Sequence, residues 1–471
     1  MTRYHQLAEE MSGRIRAGVL RPGDRLPSVR SISRSHRVSP ATVSQAYHLL
    51  EDRGEVHTRS RSGHYVSAHL GGRALQAPAV SRPTGKSTEV DVRDLIFELL
   101  DSSSSKDIIP FGSAFPAPEL FPLAKVARAL YTATLKFDPH SIFEQLTPGN
   151  ADLRRQIARR YLESGCSVDP EDIIVTVGAL EGLNLCLQAV TRPGDLVAIE
   201  SPAFYAVLEA IERLGLKAIE IPTDPREGME LSALAEALYR HPVKVCWLMT
   251  NFANPLGSLM PEAKKRELVQ LLEKRRVPLI EDDVYGELYF GRDRPRPAKS
   301  FDRSGNVMHC SSFSKCLAPG YRVGWAVPGR VATEVRRAKQ MTTLANSMPA
   351  QVAVADFLKQ AGFNHHLRRL RLALESQQVC MLRAIARYFP EQTQVTRPEG
   401  GYFLWVELPP AVRALEVFRL AREKNISIAP GPMFSPRRRF QNCMRLNYGM
   451  PWSPQIEAAM SALGAIICSR V

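Results

Sequence analysis

The chain has 471 residues, 44% of them hydrophobic, enough for two or three domains with a sizeable core, which excludes disorder throughout. No apolar run of about 18 residues occurs, and Met1-Thr2-Arg3-Tyr4-His5 lacks the apolar stretch of a secretory signal, so a cytoplasmic protein with no membrane partner is expected. The net charge of +14 favours a polyanionic partner, and residues 1–70 hold eleven Arg against six acidic residues, so the excess concentrates at the N-terminus.

In chain order, Leu7, Met11 and Ile15 recur at i, i+4 and i+8 and predict a first helix with a narrow apolar stripe, stopped by Gly18. Arg21-Pro22-Gly23-Asp24 reads as a turn. Ser28 caps a second helix running to about Ser33. Ser39-Pro40, a serine cap followed by a first-turn proline, starts a third that continues through Leu50. That is a helix-turn-helix. The third helix presents Ser39, Thr42, Ser44, Gln45 and His48, short polar groups that suit base edges in a major groove, while Val43, Ala46, Leu49 and Leu50 face a core. Val56-His57-Thr58-Arg59 and His64-Tyr65-Val66 then alternate as two strands around Ser60-Arg61-Ser62-Gly63, a basic hairpin of minor-groove size. A winged helix over 1–70 is the economical reading. A small helical bundle with polar surface helices shows much of the same pattern.

Residues 71–93 are rich in Gly, Pro and Ser without sustained period and read as a linker. From 94 to 471, apolar runs such as Ile173-Ile174-Val175, Leu196-Val197-Ala198-Ile199 and Val277-Pro278-Leu279-Ile280 alternate with segments of helical period. This pattern implies a mostly parallel sheet covered on both faces. The eight cysteines form no CxxC pair, which argues against a zinc site and a disulfide framework. Lys315, in Ser311-Ser312-Phe313-Ser314-Lys315, follows one apolar run. Burying an ammonium is costly unless its protonation is managed, and imine formation with an aldehyde is one use for such a lysine. Most lone lysines are simply solvated. Glu281-Asp282-Asp283 close another run. One of these carboxylates suits a pyridinium nitrogen and Tyr285 a phenolic oxygen; magnesium ligation is the competing reading. Asn254 adds an amide at a third strand end, and Val177-Gly178-Ala179 is a strand-to-helix turn whose free N–H groups suit a phosphate.

The strings Pro22-Gly23-Asp24-Arg25-Leu26-Pro27-Ser28-Val29-Arg30, Val38-Ser39-Pro40-Ala41-Thr42-Val43 and Ser62-Gly63-His64-Tyr65-Val66 resemble, in order, the DNA-binding head of GntR-type regulators. The resemblance implies that Arg30, Ser39, Thr42, Arg59 and Gly63 contact a double-stranded DNA operator. The later motifs, from roughly 110 to 465, resemble the fold-type-I pyridoxal 5'-phosphate (PLP) enzymes of the aspartate aminotransferase superfamily. That implies an α/β transferase fold with a mostly parallel central sheet and a smaller C-terminal α+β subdomain. By the same resemblance Lys315 forms the internal aldimine, Asp282 pairs with the pyridinium, and Asn254 and Tyr285 bond the phenolic oxygen. Gly178, Ala179, Ser312, Ser314 and Arg322 hold the phosphate, Phe204 stacks on the ring, and Arg445 grips a substrate α-carboxylate.

Two departures stand out. Glu144 occupies the place of a family tyrosine that reaches the neighbouring subunit's phosphate, where a glutamate would repel it, and Phe252 and Leu256 alter an NPxNPTG-like string. Head, linker and body in this order resemble the MocR subfamily of bacterial regulators. The resemblance implies a homodimer, domain-swapped in one arrangement, in which a small amine or amino-acid effector alters DNA binding through aldimine exchange at Lys315. The alternative is a catalytically active class I/II aminotransferase with an ancillary head. Ser435-Pro436-Arg437-Arg438-Arg439 and the basic run 365–371 read as solvated faces, with an extended DNA contact as the other reading.

Overall fold

The computed structural model describes residues 3–16, 19–20, 24–52, 55–59, 63–66, 75–101, 107–135, 148–360 and 362–471. The turn at 21–23, the hairpin tip at 60–62 and Glu144 lie outside them. In the N-terminal domain, helices α1 (Arg3–Arg16), α2 (Val29–Ser35) and α3 (Pro40–Asp52) bury Leu7, Met11, Ile15, Ile32, Val43 and Ala46 in one small core. Helix ends leave backbone donors without intrahelical partners. Here Ser28 Oγ accepts from the Ser31 N–H at 3.2 Å and Ser39 Oγ from the Thr42 N–H at 3.1 Å. β1 (Val56–Arg59) and β2 (Gly63–Val66) form the antiparallel wing, with Arg59 opposite Gly63 and Arg25 bridging to Tyr65.

The body's strands in chain order are β3 (Thr88–Glu89), β4 (Ile109–Pro110), β5 (Ile174–Val177), β6 (Leu196–Ser201), β7 (Lys217–Asp224), β8 (Gly228–Met229), β9 (Val243–Leu248), β10 (Leu279–Asp282), β11 (Val307–Ser312), β12 (Val323–Val327), β13 (Gln394–Val395), β14 (Phe403–Glu407), β15 (Ile426–Ser427), β16 (Ala429–Pro430) and β17 (Cys443–Asn447). The main sheet runs β3-β7-β6-β9-β10-β11-β12-β5, with β8 beside β7. β7, β6, β9, β10 and β11 are parallel, whereas β12 is antiparallel to both neighbours and β3 to β7. Every residue of β6, β10 and β11 is buried, and each strand opens on apolar residues and closes on polar ones, Glu200-Ser201, Glu281-Asp282 and Ser311-Ser312. A smaller lobe pairs β13-β14-β17-β16, and β4 joins β15, which ties residues 109–110 to the C-terminal end of the chain. Parallel strands point their carboxyl ends one way, and the crevice beyond those ends is where open α/β sheets bind ligands. No helix among the described residues is long and apolar enough to cross a membrane.

The segment read as a linker is attached to the body from residue 75 onward. Val395 N–H donates to Gln76 O at 2.8 Å, Thr223 N–H to Ser81 Oγ at 3.1 Å, and Val90 and Val92 are buried. Such attachment runs through backbone groups and a two-residue strand, which leave no hydrophobic period in a sequence. Arg437, Arg438 and Arg439 bond this same segment instead of facing solvent alone. In the other basic run, His366 is buried with Nε2 2.7 Å from Cys316 O, and Arg371 lies over the Tyr289 ring at 4.0 Å.

Candidate cofactor site

Three consecutive acids end β10, and strand alternation sends them apart. Glu281 accepts from Thr250 Oγ1 and from the backbone N–H groups of Ala298 and Lys299. Asp283 accepts from Asn251 Nδ2 at 2.8 Å and lies 3.3 Å from His309 Nε2. Asp282 alone keeps a carboxylate oxygen, Oδ1, buried without a hydrogen-bond partner among the described residues. Glu281 and Asp283 are thus taken up by protein partners, and no group of three or more His, Cys, Asp or Glu side chains placed to hold a metal ion occurs among the described residues. Burial, with Asp283 next door, raises the Asp282 carboxyl to about 7.

Lys315 sits in the turn after the neighbouring strand β11. Burial and then the positive charge of Arg445 bring its ammonium down to about 7, with Asp282 opposing the shift. Its Nζ donates to Ala114 O at 2.7 Å and stands 3.6 Å from the centroid of the Phe115 ring. The amine is therefore available in its neutral, nucleophilic form near pH 7.

The phosphate candidates surround one helix start. Gly178 adopts φ 69° and opens the helix Gly178–Val190, and its N–H donates to Arg322 O at 3.0 Å. Arg322, itself left-handed at φ 51°, reaches Ser314 Oγ and Val177 O, each at 3.3 Å. Ser312 Oγ accepts from the Ser314 N–H at 3.3 Å. Arg322 thus bonds Ser314 and Val177 beside Gly178, and Ser314 bonds Ser312, so the two serines and the guanidinium lie at the start of the helix whose first residues are Gly178 and Ala179. A Cβ on Gly178 would lie 2.4 Å from Arg322 Nη2 and push the guanidinium aside, while the left-handed backbone angle itself favours glycine.

Arg445 comes from the smaller lobe, on β17. It is 1% exposed, its guanidinium carbon lies 4.2 Å from the Phe403 ring centroid, and Nη1 donates to Asn254 Oδ1 at 3.0 Å. Nη2 donates to Gly112 O at 2.6 Å and to Ser113 O at 3.2 Å. The 112–115 loop therefore lays successive carbonyls on Arg445 and Lys315. Tyr285 is buried with its hydroxyl bonded to Tyr402, whose own hydroxyl donates to Ala114 O at 2.9 Å. Phe204 is half-buried at the start of the helix Tyr205–Arg213, its ring 4.7 Å from that of Tyr205.

Tyr205, Tyr402 and the 112–115 loop are parts of the site that sequence reasoning missed. They carry no motif, and they reach the crevice only because the two lobes fold together. Arg30, Ser39, Thr42, Arg59 and Gly63 stand apart, on the N-terminal domain. Arg30 and Ser39 are exposed, Thr42 half-buried, and a Cβ on Gly63, at φ 110°, would lie 3.2 Å from the Arg25 guanidinium.

Comparison with known proteins separates the same two halves. The model of the aminotransferase class I and II family matches residues 110–463, and that of the bacterial regulatory proteins of the gntR family matches residues 3–66. The chain belongs to the GntR regulators of MocR architecture, with a class I and II aminotransferase body. It is 46% identical over 472 residues to YdcR, an HTH-type transcriptional regulator of Escherichia coli, covering 100% of both chains. It is 38% identical to YjiR of the same organism, covering 99% of each. Among solved structures it resembles LysN, an α-aminoadipate aminotransferase of Thermus thermophilus complexed with N-(5'-phosphopyridoxyl)-L-leucine. The TM-score is 0.72 at 32% identity, over 79% of this chain and 94% of that one.

A MocR-type protein is a transcription regulator with an aminotransferase-like domain, and the family implies pyridoxal 5'-phosphate as cofactor. The residues present fit that group. Asp282 Oδ1, Asn254 Nδ2 and Arg445 Nε are buried polar atoms without partners among the described residues. A pyridinium N–H and a phenolic oxygen supply the donor and acceptor that the first two lack.

Proposed function

We propose that this regulator holds pyridoxal 5'-phosphate at Lys315 and senses an amine or amino acid that takes the lysine's place. The observation that carries the reading is that a buried lysine of one lobe and a buried arginine of the other hold successive carbonyls of the same 112–115 loop, Lys315 that of Ala114 and Arg445 those of Gly112 and Ser113. Bound PLP supplies an aldehyde carbon to which amines attach reversibly. The chain's own residues do the rest. Asp282 holds a proton on the pyridine nitrogen, Asn254 and Tyr285 fix the phenolic oxygen, and Phe204 covers the ring. Gly178, Ala179, Ser312, Ser314 and Arg322 bind the phosphate, and Arg445 takes the effector's carboxylate after releasing the carbonyls of Gly112 and Ser113.

DNA contact falls to Arg30, Ser39, Thr42, Arg59 and Gly63, and the functional unit is a homodimer reading paired half-sites. An apolar cleft of about 830 Å³ beside Arg322, lined by Phe115, Phe121, Leu123, Val177 and Tyr321, supports a subunit contact at the mouth of the site. Absorbance tests the cofactor reading directly. Wild type should show a band at roughly 410–430 nm that Lys315→Ala lacks. A PLP-supplemented wild type without the band refutes it.

Turnover as an aminotransferase is the second reading. It is favoured by the same depressed Lys315, which, once displaced, can carry a proton at neutral pH. Keto-acid release from an amino acid, absent in Lys315→Ala, would establish it.

A further inference from the structure

The segment between the N-terminal domain and the body is pinned to both lobes in alternation. Gln76 is held by β13 of the smaller lobe, and Ser81 by Thr223 of the main sheet. Arg82 O accepts from Arg439 Nη2 of the smaller lobe at 2.8 Å. Thr88 and Glu89 then pair with β7 of the main sheet, while Thr88 Oγ1 accepts from Arg437 Nε at 2.8 Å. Asp91 O accepts from Arg438 Nε at 3.2 Å, and its carboxylate lies 3.7 Å from the same guanidinium. Finally the Val92 and Arg93 N–H groups donate to the Glu212 carboxylate of the main-sheet lobe at 2.9 and 3.0 Å.

The three arginines extend from a loop adjoining the crevice. Phe434, five residues before Arg439, lies 5.5 Å from the Arg445 guanidinium, and its carbonyl accepts from the Ala203 N–H at 2.9 Å. Ser435 Oγ donates to Glu220 Oε1 on β7 at 3.2 Å and accepts from the Arg437 N–H at 3.3 Å. Arg438 and Phe440 take φ of 51° and 56°, left-handed values that side chains disfavour and that persist only where surroundings impose them. The loop is a shaped element, held at one end under the ligand arginine and at the other on the segment leading to the N-terminal domain.

We infer that residues 75–93 form a strap that senses movement between the two lobes, with Arg437, Arg438 and Arg439 as its clasp. The inference rests on the ligand site proposed above. An effector whose amine replaces Lys315 and whose carboxylate takes Arg445 bonds to both lobes at once, and any adjustment between them shears a strap fixed to each. In sequence the strap follows the N-terminal domain, with residues 67–74 between them. The clasp thereby gives the ligand site a covalent and hydrogen-bonded route to the DNA-binding unit, and it assigns a role to the Ser435–Arg439 run that neither cofactor nor DNA binding requires.

Hydrogen exchange on the full PLP-loaded chain tests this, comparing wild type with Arg437→Ala/Arg439→Ala on peptides spanning 76–92. The probes are the protein L-amino acids and 2-aminoadipate in turn, with binding followed separately by cofactor absorbance. In wild type, an amino acid that shifts the absorbance changes strap exchange. In the double variant the strap exchanges roughly tenfold faster without ligand, as expected from losing two partly exposed charge-assisted bonds, and ligand changes it no further. The absorbance midpoint stays within roughly threefold of wild type, because neither arginine touches the cofactor site. Thr88→Val, which removes the Arg437 acceptor without altering charge, should reproduce part of the effect. Strap exchange that ignores a ligand seen in the absorbance, or a double variant that keeps the ligand response, overturns the inference. If no probe shifts the absorbance, the ligand reading fails, and the coupling with it. The ligand-free comparison still decides whether the arginines clasp the strap.

Discussion

Gly324→Ala puts the phosphate cup to a quantitative test without touching a charged group. Gly324 lies on β12 against the turn that opens the helix Gly178–Val190. An added Cβ would stand 2.4 Å from the Gly178 carbonyl carbon and 2.7 Å from the Ala179 nitrogen. Real Cβ atoms essentially never approach within 3.0 Å, and both neighbours are backbone atoms, so the turn itself must retreat by about 0.6 Å. Overpacking of this kind costs about 1–3 kcal/mol, and two backbone contacts with no rotamer to relieve them place Gly324→Ala near the upper end. If the displaced turn holds the phosphate, through the Ala179 N–H since that of Gly178 is donated to Arg322 O, most of that cost appears in cofactor binding, as a loss of roughly a hundredfold in PLP affinity. The assay is an absorbance titration of the cofactor-free chain with PLP, with thermal unfolding run in parallel. Gly291→Ala is the control, since nothing lies within 4 Å of its added Cβ. A Gly324→Ala chain that binds PLP as wild type does would refute the assignment of Gly178 and Ala179 to the phosphate.

Asp282→Asn keeps the shape of the side chain but removes the charge facing a pyridinium, and should weaken PLP by roughly tenfold or more in the same titration, the scale of a hydrogen bond to a charged group. Unchanged affinity would mean that the ring nitrogen lies elsewhere. Glu200 is buried with one carboxylate oxygen unpartnered among the described residues, and burial raises its carboxyl to about 8. Between its ordinary value of 4.5 and about 8 the folded chain binds more protons at this site than the unfolded one, so its contribution to stability is present at low pH and lost as pH rises through that window. Glu200→Gln should therefore raise the melting temperature of the cofactor-free chain by a few degrees at pH 8 and leave it nearly unchanged at pH 4.5; equal shifts at both would exclude the linkage. Arg30→Ala, measured by fluorescence anisotropy on duplex DNA across salt concentrations, should reduce the magnitude of the log–log salt slope by about 0.9 for one lost phosphate contact. An unchanged slope would take Arg30 out of the interface.

Much of this arrangement was legible before any coordinates. The helix-turn-helix announced itself through local chemistry, in serine caps at Ser28 and Ser39 and an apolar stripe at Leu7, Met11 and Ile15, and those side chains do cap and pack as their spacing requires. The candidate cofactor side chains drew notice for a similar reason, their roles coming from the family resemblance. Asp282 ends one buried strand and Lys315 follows another, and polar groups at the ends of apolar runs are conspicuous. The choice among Glu281, Asp282 and Asp283 was not readable from composition, since all three are buried and only their partners differ. Arg437–Arg439 resembled any solvated basic run because the acceptors that bind them, Arg82 O, Thr88 Oγ1 and Asp91 O, lie about 350 residues away in sequence.

By itself, then, the sequence determined the local elements, the parallel sheet and the identity of the chemical groups, because helix caps, strand periods and buried runs are set by neighbours a few residues apart. Only the tertiary structure decided that Lys315 and Arg445 share one crevice, that the 112–115 loop lays its carbonyls on both, and that a stretch resembling a free linker is strapped across two lobes. Those outcomes depend on hydrogen bonds between groups remote in the chain. Such bonds are satisfied one donor and one acceptor at a time, and they leave no periodic trace in the residues that make them.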